Sequence, residues 1–192
     1  MTDNIVFHEF KEFENIDYSG NSLRDREFFK CKFMGCNFTE SDLRGNSFEE
    51  CTFEDCNFSM TMVEGVGFRD IQFIGCKILG IDFTRCNRFM FTFKFYNCIM
   101  DYCTFFGTKL DKTHFKKCSL KEVDFTETNL SSSTFTDSDL TGALFSNTNL
   151  EKTDFRGATN FAIDPEFNKM KGAKFTSFQL EGLLYKYQLD IE

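Results

Sequence analysis

The stretch CKFMGCNFTESDLRGNSFEECTFEDCNF, running from Cys31 to Phe58, carries two overlapping patterns. Its four cysteines, Cys31, Cys36, Cys51 and Cys56, are spaced by five, fifteen and five residues. Spaced cysteine pairs point first to a zinc site or to disulfides. The same interval of five also governs residues that bind no metal: Phe33, Phe38, Leu43, Phe48, Phe53 and Phe58. Each cysteine stands two positions before one of these, so the cysteine spacing belongs to a longer rhythm.

That rhythm extends in both directions. From Tyr18 a large apolar residue recurs at every fifth position through Phe28, Phe48, Phe68 and Phe73 to Phe83. A second run, in a shifted register, begins at Met100 and continues through Phe105, Phe115, Phe125, Phe135 and Phe145 to Phe155. Five is the period of neither a helix nor a strand. Two positions before each large residue stands a small or β-branched one, such as Ser41, Thr61, Val66, Thr108, Ser133 or Thr153. Residues two apart share one side of an extended segment. The intervening positions are mostly polar. Each unit therefore reads as a short strand with two inward residues followed by a turn, and the chain as an array of such units.

Composition fits a filled core. The 192 residues include 28 Phe, no Trp and one Pro, far too aromatic for a disordered chain. The start MTDNIVFHEF lacks a basic n-region, and no apolar run reaches the length of a membrane span. A cytoplasmic location is expected, where thiols stay reduced. Net charge is −8, made up of −7 over residues 1–60, +4 over 61–120 and −5 over 121–192. This balance disfavours direct nucleic-acid binding and favours a protein partner.

Over roughly Asn15–Lys174 the units CNFTE, SDLRG, TNLSS, SDLTG and TDFRG resemble the pentapeptide-repeat family. The resemblance implies an all-β solenoid, a right-handed quadrilateral β-helix with four pentapeptides per coil. Asn21 and Arg26, at small-residue positions, depart from the motif. With four units per coil, residues twenty apart stack. Phe28, Phe48 and Phe68 then form one ladder, Phe33, Phe53 and Phe73 another, and Phe105, Phe125 and Phe145 face Phe115, Phe135 and Phe155. All nine cysteines (31, 36, 51, 56, 76, 86, 98, 103 and 118) fall on inward small positions. They are expected to be reduced packing residues, with no metal and no cofactor.

Two places break the beat. Between Phe83 and Met100, the first register would place Arg88 inside, above Phe68, at a prohibitive cost for an unpaired charge. The second register traced backwards gives Phe95 and Met90, so two residues have been inserted around 84–95. The break is either a bulge at a coil boundary or a protruding contact patch of Arg88, Phe89 and Phe91. The second break, about 160–172, is expected to be a loop containing Pro165. The solenoid domain is thus assigned to 1–175 and a C-terminal helix to 176–192. Thr176 and Gln179 match a capping box, and Phe178, Leu180, Leu183, Leu184 and Tyr187 form an apolar set. Gly182 weakens the helix by roughly 1 kcal/mol. The helix covers the end of the solenoid, alone or together with a dimer contact made by the same residues.

Catalysis is not expected. His8 lies outside the repeats, His114 points outward, and neither has a nucleophile or orienting acid at triad spacing. The resemblance to Qnr and MfpA proteins implies a cytoplasmic DNA-mimic rod, dimeric through its C-terminal helix. Its implied partner is a type II topoisomerase, DNA gyrase or topoisomerase IV, with a role in quinolone resistance. Outward acids on stacked turns would carry the contact: Asp42, Glu49, Glu50, Glu54, Asp55, Asp124, Asp137, Asp139 and Asp154. The alternative is a structural interaction module with an unrelated partner.

Overall fold

A computed structural model describes residues 5–89 and 91–190. The expected quadrilateral β-helix is what forms. The strands are short: β1 (Val6–Glu9), β2 (Glu12–Glu14), β3 (Arg26–Phe29), β4 (Lys32–Met34), β5 (Ser47–Glu49), β6 (Thr52–Glu54), β7 (Gly67–Ile74), β8 (Phe91–Tyr96) and β9 (His114–Lys116). All pair in parallel, and the steps from β1 to β3, β3 to β5 and β5 to β7 are twenty residues, His8 matching Phe28, Phe28 matching Phe48 and Phe48 matching Phe68. Beyond β9 the same twenty-residue step continues as single bridges, for example His114 to Thr134 to Asp154 to Lys174.

The inward residues stack as rings on rings. Phe13, Phe33, Phe53, Phe73, Phe95, Phe115, Phe135, Phe155 and Phe175 form one unbroken ladder, with centroids 4.7–5.3 Å apart. Rings on the opposite face meet it edge-on, as Phe105 meets Phe115 at 6.4 Å and 74°. Offset stacks within a ladder and T-shaped contacts across it are both favourable arrangements of aromatic quadrupoles. No single coil buries its face alone, so the core exists only through stacking.

The inward small positions lock the coils together. Thr61, Thr128, Ser133 and Thr153 donate hydroxyl hydrogen bonds to carbonyls of the preceding coil at 2.6–2.8 Å. The cysteines fill the same positions, and all nine are buried and free. Burial pushes the thiols of Cys51 and Cys103 up to about 12. Among the described residues no cluster of His, Cys, Asp or Glu converges on a metal position.

The solenoid starts earlier than the repeat motif indicates. His8 is not outside it: β1 pairs with β3, and the His8 ring stacks on Phe28 at 4.9 Å and 18°. Burial lowers its pKa below the usual 6.5. The pattern was hidden because histidine stands where the motif has Phe or Leu. Arg26 is half-buried at its small position, and its backbone N–H donates to Asn46 Oδ1 at 2.8 Å.

The other end is plugged. Residues 160–166 are less a loop than a stopper, with Phe161 and Ile163 buried and a 3-10 turn at Pro165–Phe167, after which Lys169 resumes the coil by bridging Asn149. The expected continuous helix over 176–192 is broken into a 3-10 turn at Ser177–Gln179, α1 (Glu181–Leu184) and another 3-10 turn at Tyr185–Tyr187; its last two positions lie outside the described residues. Thr176 and Gln179 form no capping box, because no side chain caps the turn. Instead the Thr176 hydroxyl bonds Gln179 Oε1, and Gln179 Nε2 donates to the Ala158 carbonyl. Gly182 has a packing reason: an added Cβ would lie 2.3 Å from the Phe161 carbonyl oxygen. Its own carbonyl accepts from Ile163 N–H at 2.9 Å, so α1 is strapped to the stopper. Among the described residues no helix is long and apolar enough to cross a membrane.

Candidate functional site

The interior is full, so any binding chemistry belongs to the outer faces. The acids singled out in the sequence do not form one free negative surface. Asp42 is buried, not outward; it is held by Arg24 and by Arg44, whose Nε lies 2.9 Å away. Glu49 pairs with Arg69 at 3.1 Å, Glu50 with Lys30 at 3.7 Å, and Glu54 with Lys32 at 2.9 Å. Asp154 pairs with Arg156 at 2.7 Å, and this contact holds its carboxyl below the ordinary value. Asp139 lies 3.4 Å from Lys121. Burial works against its charge, but hydrogen bonds from Thr141 and Asn160 outweigh that and lower its pKa. Exposed pairs of this kind add little stability, yet each cancels part of the surface field.

Arg44 and Arg156 lie only two residues from their acids, but the other partners lie about one coil away in sequence. Arg24 is 18 residues from Asp42, and Arg69 is 20 from Glu49. Asp55 and Asp137 are exposed and, among the described residues, in no ion pair. Both sit at corners with positive φ, 52° and 55°.

Within the coil around residues 100–127, stacking biases charge by face. Asp101, Glu122, Asp124 and Glu127 line the faces whose inward residues are Met100, Leu120, Phe105 and Phe125. On the adjoining faces, Lys94 pairs in register with His114 and Tyr96 with Lys116, while Lys112 and Lys117 stand at the flanking corners. The bias is local to this coil: Lys121 stands among the acids, and Asp111, Asp137 and Asp154 lie on the lysine-bearing faces.

At the register break, Arg88 is exposed and Phe89 is 98% exposed, its N–H donating to Asn87 Oδ1 at 3.1 Å. Phe91 does not project; it packs half-buried against Phe93 at 4.7 Å and 83°. The inward place expected for Met90 lies outside the described residues, and Phe91 is the residue paired with Phe68. Phe93 takes the small-residue position opposite Ile71. The contact patch thus reduces to Arg88 and Phe89.

At the C-terminal end, Leu183 is packed on the core rather than presented to a partner. Phe178, Leu180, Leu184 and Tyr187 are exposed, Phe178 to 94%. Tyr185 and Leu189, not singled out in the sequence, join them.

Two family profiles match the sequence: pentapeptide repeats (9 copies) over residues 28–72, and the pentapeptide repeat region over 88–155. No curated protein matches by sequence. Among solved structures, the chain is similar to HetL, a pentapeptide repeat protein involved in heterocyst differentiation regulation from the cyanobacterium Nostoc. The TM-score is 0.69 and the identity 15%, over 88% of this chain and 84% of that one. It is also similar to trypsin-treated QnrB1, a plasmid-mediated fluoroquinolone resistance protein, with a TM-score of 0.56 and 19% identity over 98% of each chain. A second trypsin-treated QnrB1 variant gives 0.53 and 20%, over 98% of this chain and 99% of that one.

Proposed function

The chain belongs to the pentapeptide-repeat family, and from that premise we propose that it is a non-catalytic binding rod whose partner is a type II DNA topoisomerase. The observation that carries the binding-rod reading is the filled interior: among the described residues, ring ladders and buried thiols leave the outer faces for recognition. The topoisomerase reading is supported by end-to-end similarity to a fluoroquinolone resistance protein. In this reading Asp101, Glu122, Asp124 and Glu127 supply the DNA-like charge, and the exposed Phe178, Leu184 and Tyr187 join two rods at their C-terminal ends. The test is binding of purified gyrase and topoisomerase IV to the immobilised chain, with duplex DNA as competitor. DNA mimicry predicts that the duplex displaces the rod, and that Asp124→Lys/Glu127→Lys weakens binding.

A second reading, an interaction module for an unrelated protein, is favoured by Lys94, Lys112, Lys116 and Lys117 on the adjoining faces. Those lysines put positive charge where a DNA mimic needs negative. Binding to neither enzyme, with a different protein retained, would select it.

A further inference from the structure

Among the described residues, the register break creates a feature found nowhere else along the regular coils. Phe68 pairs with Phe91 and Ile71 with Phe93, so Arg69 and Asp70 together face the single residue Thr92. Such a bulge interrupts the ladder and re-aims nearby side chains. It opens a notch of about 310 Å³ walled by Glu50, Asp70 and Lys94. Gln72 and Thr92 lie between these walls, over a floor of buried Ile71 and Phe93.

The acidic wall is undercompensated. Glu49 and Arg69 are register partners, so Glu50 and Asp70 follow one another at the same corner, both with positive φ, one coil or ~4.8 Å apart. Lys30 reaches Glu50 at 3.7 Å, but its ammonium also lies over the Phe29 ring at 4.8 Å. Among the described residues, Asp70 and Lys94 are in no ion pair. Two stacked carboxylates on one wall, a single cation on the other and neutral hydrogen-bonding groups between them match a cationic, planar, multi-donor group.

We propose that this notch receives an arginine side chain from the protein partner, its guanidinium bonding the carboxylates of Glu50 and Asp70. A guanidinium presents donors along two edges and so can serve both carboxylates at once, whereas an ammonium acts as a point charge. The Lys94 ammonium repels any cation in the notch, so binding rests on the two carboxylates. The exposed Phe89, next to the break, extends the contact beyond the notch. This inference deepens the binding-rod reading and rests on it, and it assigns the break a role in recognition.

The test is an NMR titration of the isotope-labelled full chain with N-acetyl-arginine methylamide. The lysine and glutamate analogues serve as comparators. The expected result is saturable shifts confined to the amides of 70–72 and 92–94, with weaker binding of the lysine probe and none of the glutamate probe. Asp70→Asn, which keeps a residue tolerant of positive φ, is expected to weaken the arginine probe by about tenfold. Lys94→Met, which removes a like charge from the notch, is expected to tighten binding of the arginine probe. Absent or scattered shifts, unchanged affinity in Asp70→Asn, or a preference for the glutamate probe would overturn the proposal. The probe needs no partner protein, so a positive titration beside failed topoisomerase binding would leave the notch standing and reject only that partner.

Discussion

Asp55 Oδ1 fills the space that a side chain on Gly75, one coil later, would need: a Cβ there would lie 2.2 Å from the carboxylate oxygen. Both residues have positive φ, 52° and 65°. The same fit recurs where Asn15 faces Gly35, Asp25 faces Gly45 and Asp137 faces Gly157, at 2.4, 2.4 and 2.7 Å. Corner acids are thus partly architectural. Gly107, with φ 62°, has open space around its would-be Cβ. Gly107→Ala should therefore cost only the left-handed backbone term, about 1–2 kcal/mol. Gly75→Ala should cost clearly more. Asp55→Ala should relieve the excess in the Gly75→Ala background. Urea midpoints of the four proteins check this, and equal losses for the two glycine variants would mean that the corner fit carries no energy.

The cysteines offer a chemical check on the core. Burial raises the Cys51 and Cys103 thiols to about 12, leaving almost no thiolate at neutral pH. The folded chain should resist alkylation at pH 7, and unfolding without reductant should release nine reactive thiols. Metal analysis should find no stoichiometric zinc. Fewer than nine thiols would reveal a disulfide or a bound metal.

The C-terminal stopper is clipped by charge. Lys186 Nζ lies 3.0 Å from Asp164 and 2.8 Å from Glu166. The Glu166 backbone N–H and Lys186 hold the Asp164 carboxyl below its ordinary 3.8, so its contribution is present above that value and fades as pH falls through the lower folded one. Glu166 and Asp164 hold Lys186 above its ordinary 10.5, so the lysine's contribution is complete below 10.5 and fades as pH rises through its folded value. Hydrogen exchange of the Ile163 amide, which donates to Gly182, should slow to a floor between these limits after correction for intrinsic rate. In Lys186→Met that pH dependence should flatten; an unchanged profile would remove the clip from the account.

How much of this was legible in sequence follows from where each partner lies. The period of five gave the inward residues, and the twenty-residue coil gave the Phe ladders, because both depend only on position along the chain. His8 was missed because its ring replaces a phenylalanine outside the motif. Asp42 was read as outward because its position in the repeat is polar; its burial depends on Arg24 and Arg44 closing over it. Gly182 looked like a weak point in a helix, yet Phe161 demands it. The bulge between β7 and β8 was legible as a two-residue insertion, but its notch was not, since that depends on which residues absorb the shift.

The end-to-end assembly we propose predicts a dimer that depends on exposed apolar side chains. Phe178→Asp/Leu184→Asp should give a folded monomer in light scattering, because neither residue is part of the core. Leu183 is packed on the core, so Leu183→Asp should loosen the stopper as well. A parent chain that is already monomeric at 22.4 kDa would eliminate the joint.

The most direct test of the central claim is a gyrase supercoiling assay with purified chain, run with and without ciprofloxacin. The topoisomerase-binding reading predicts a dose-dependent change: partial inhibition of supercoiling without drug, and restored supercoiling in its presence. Asp124→Lys/Glu127→Lys should blunt both effects. Identical supercoiling with and without the chain, across concentrations at which it remains folded, would contradict that reading.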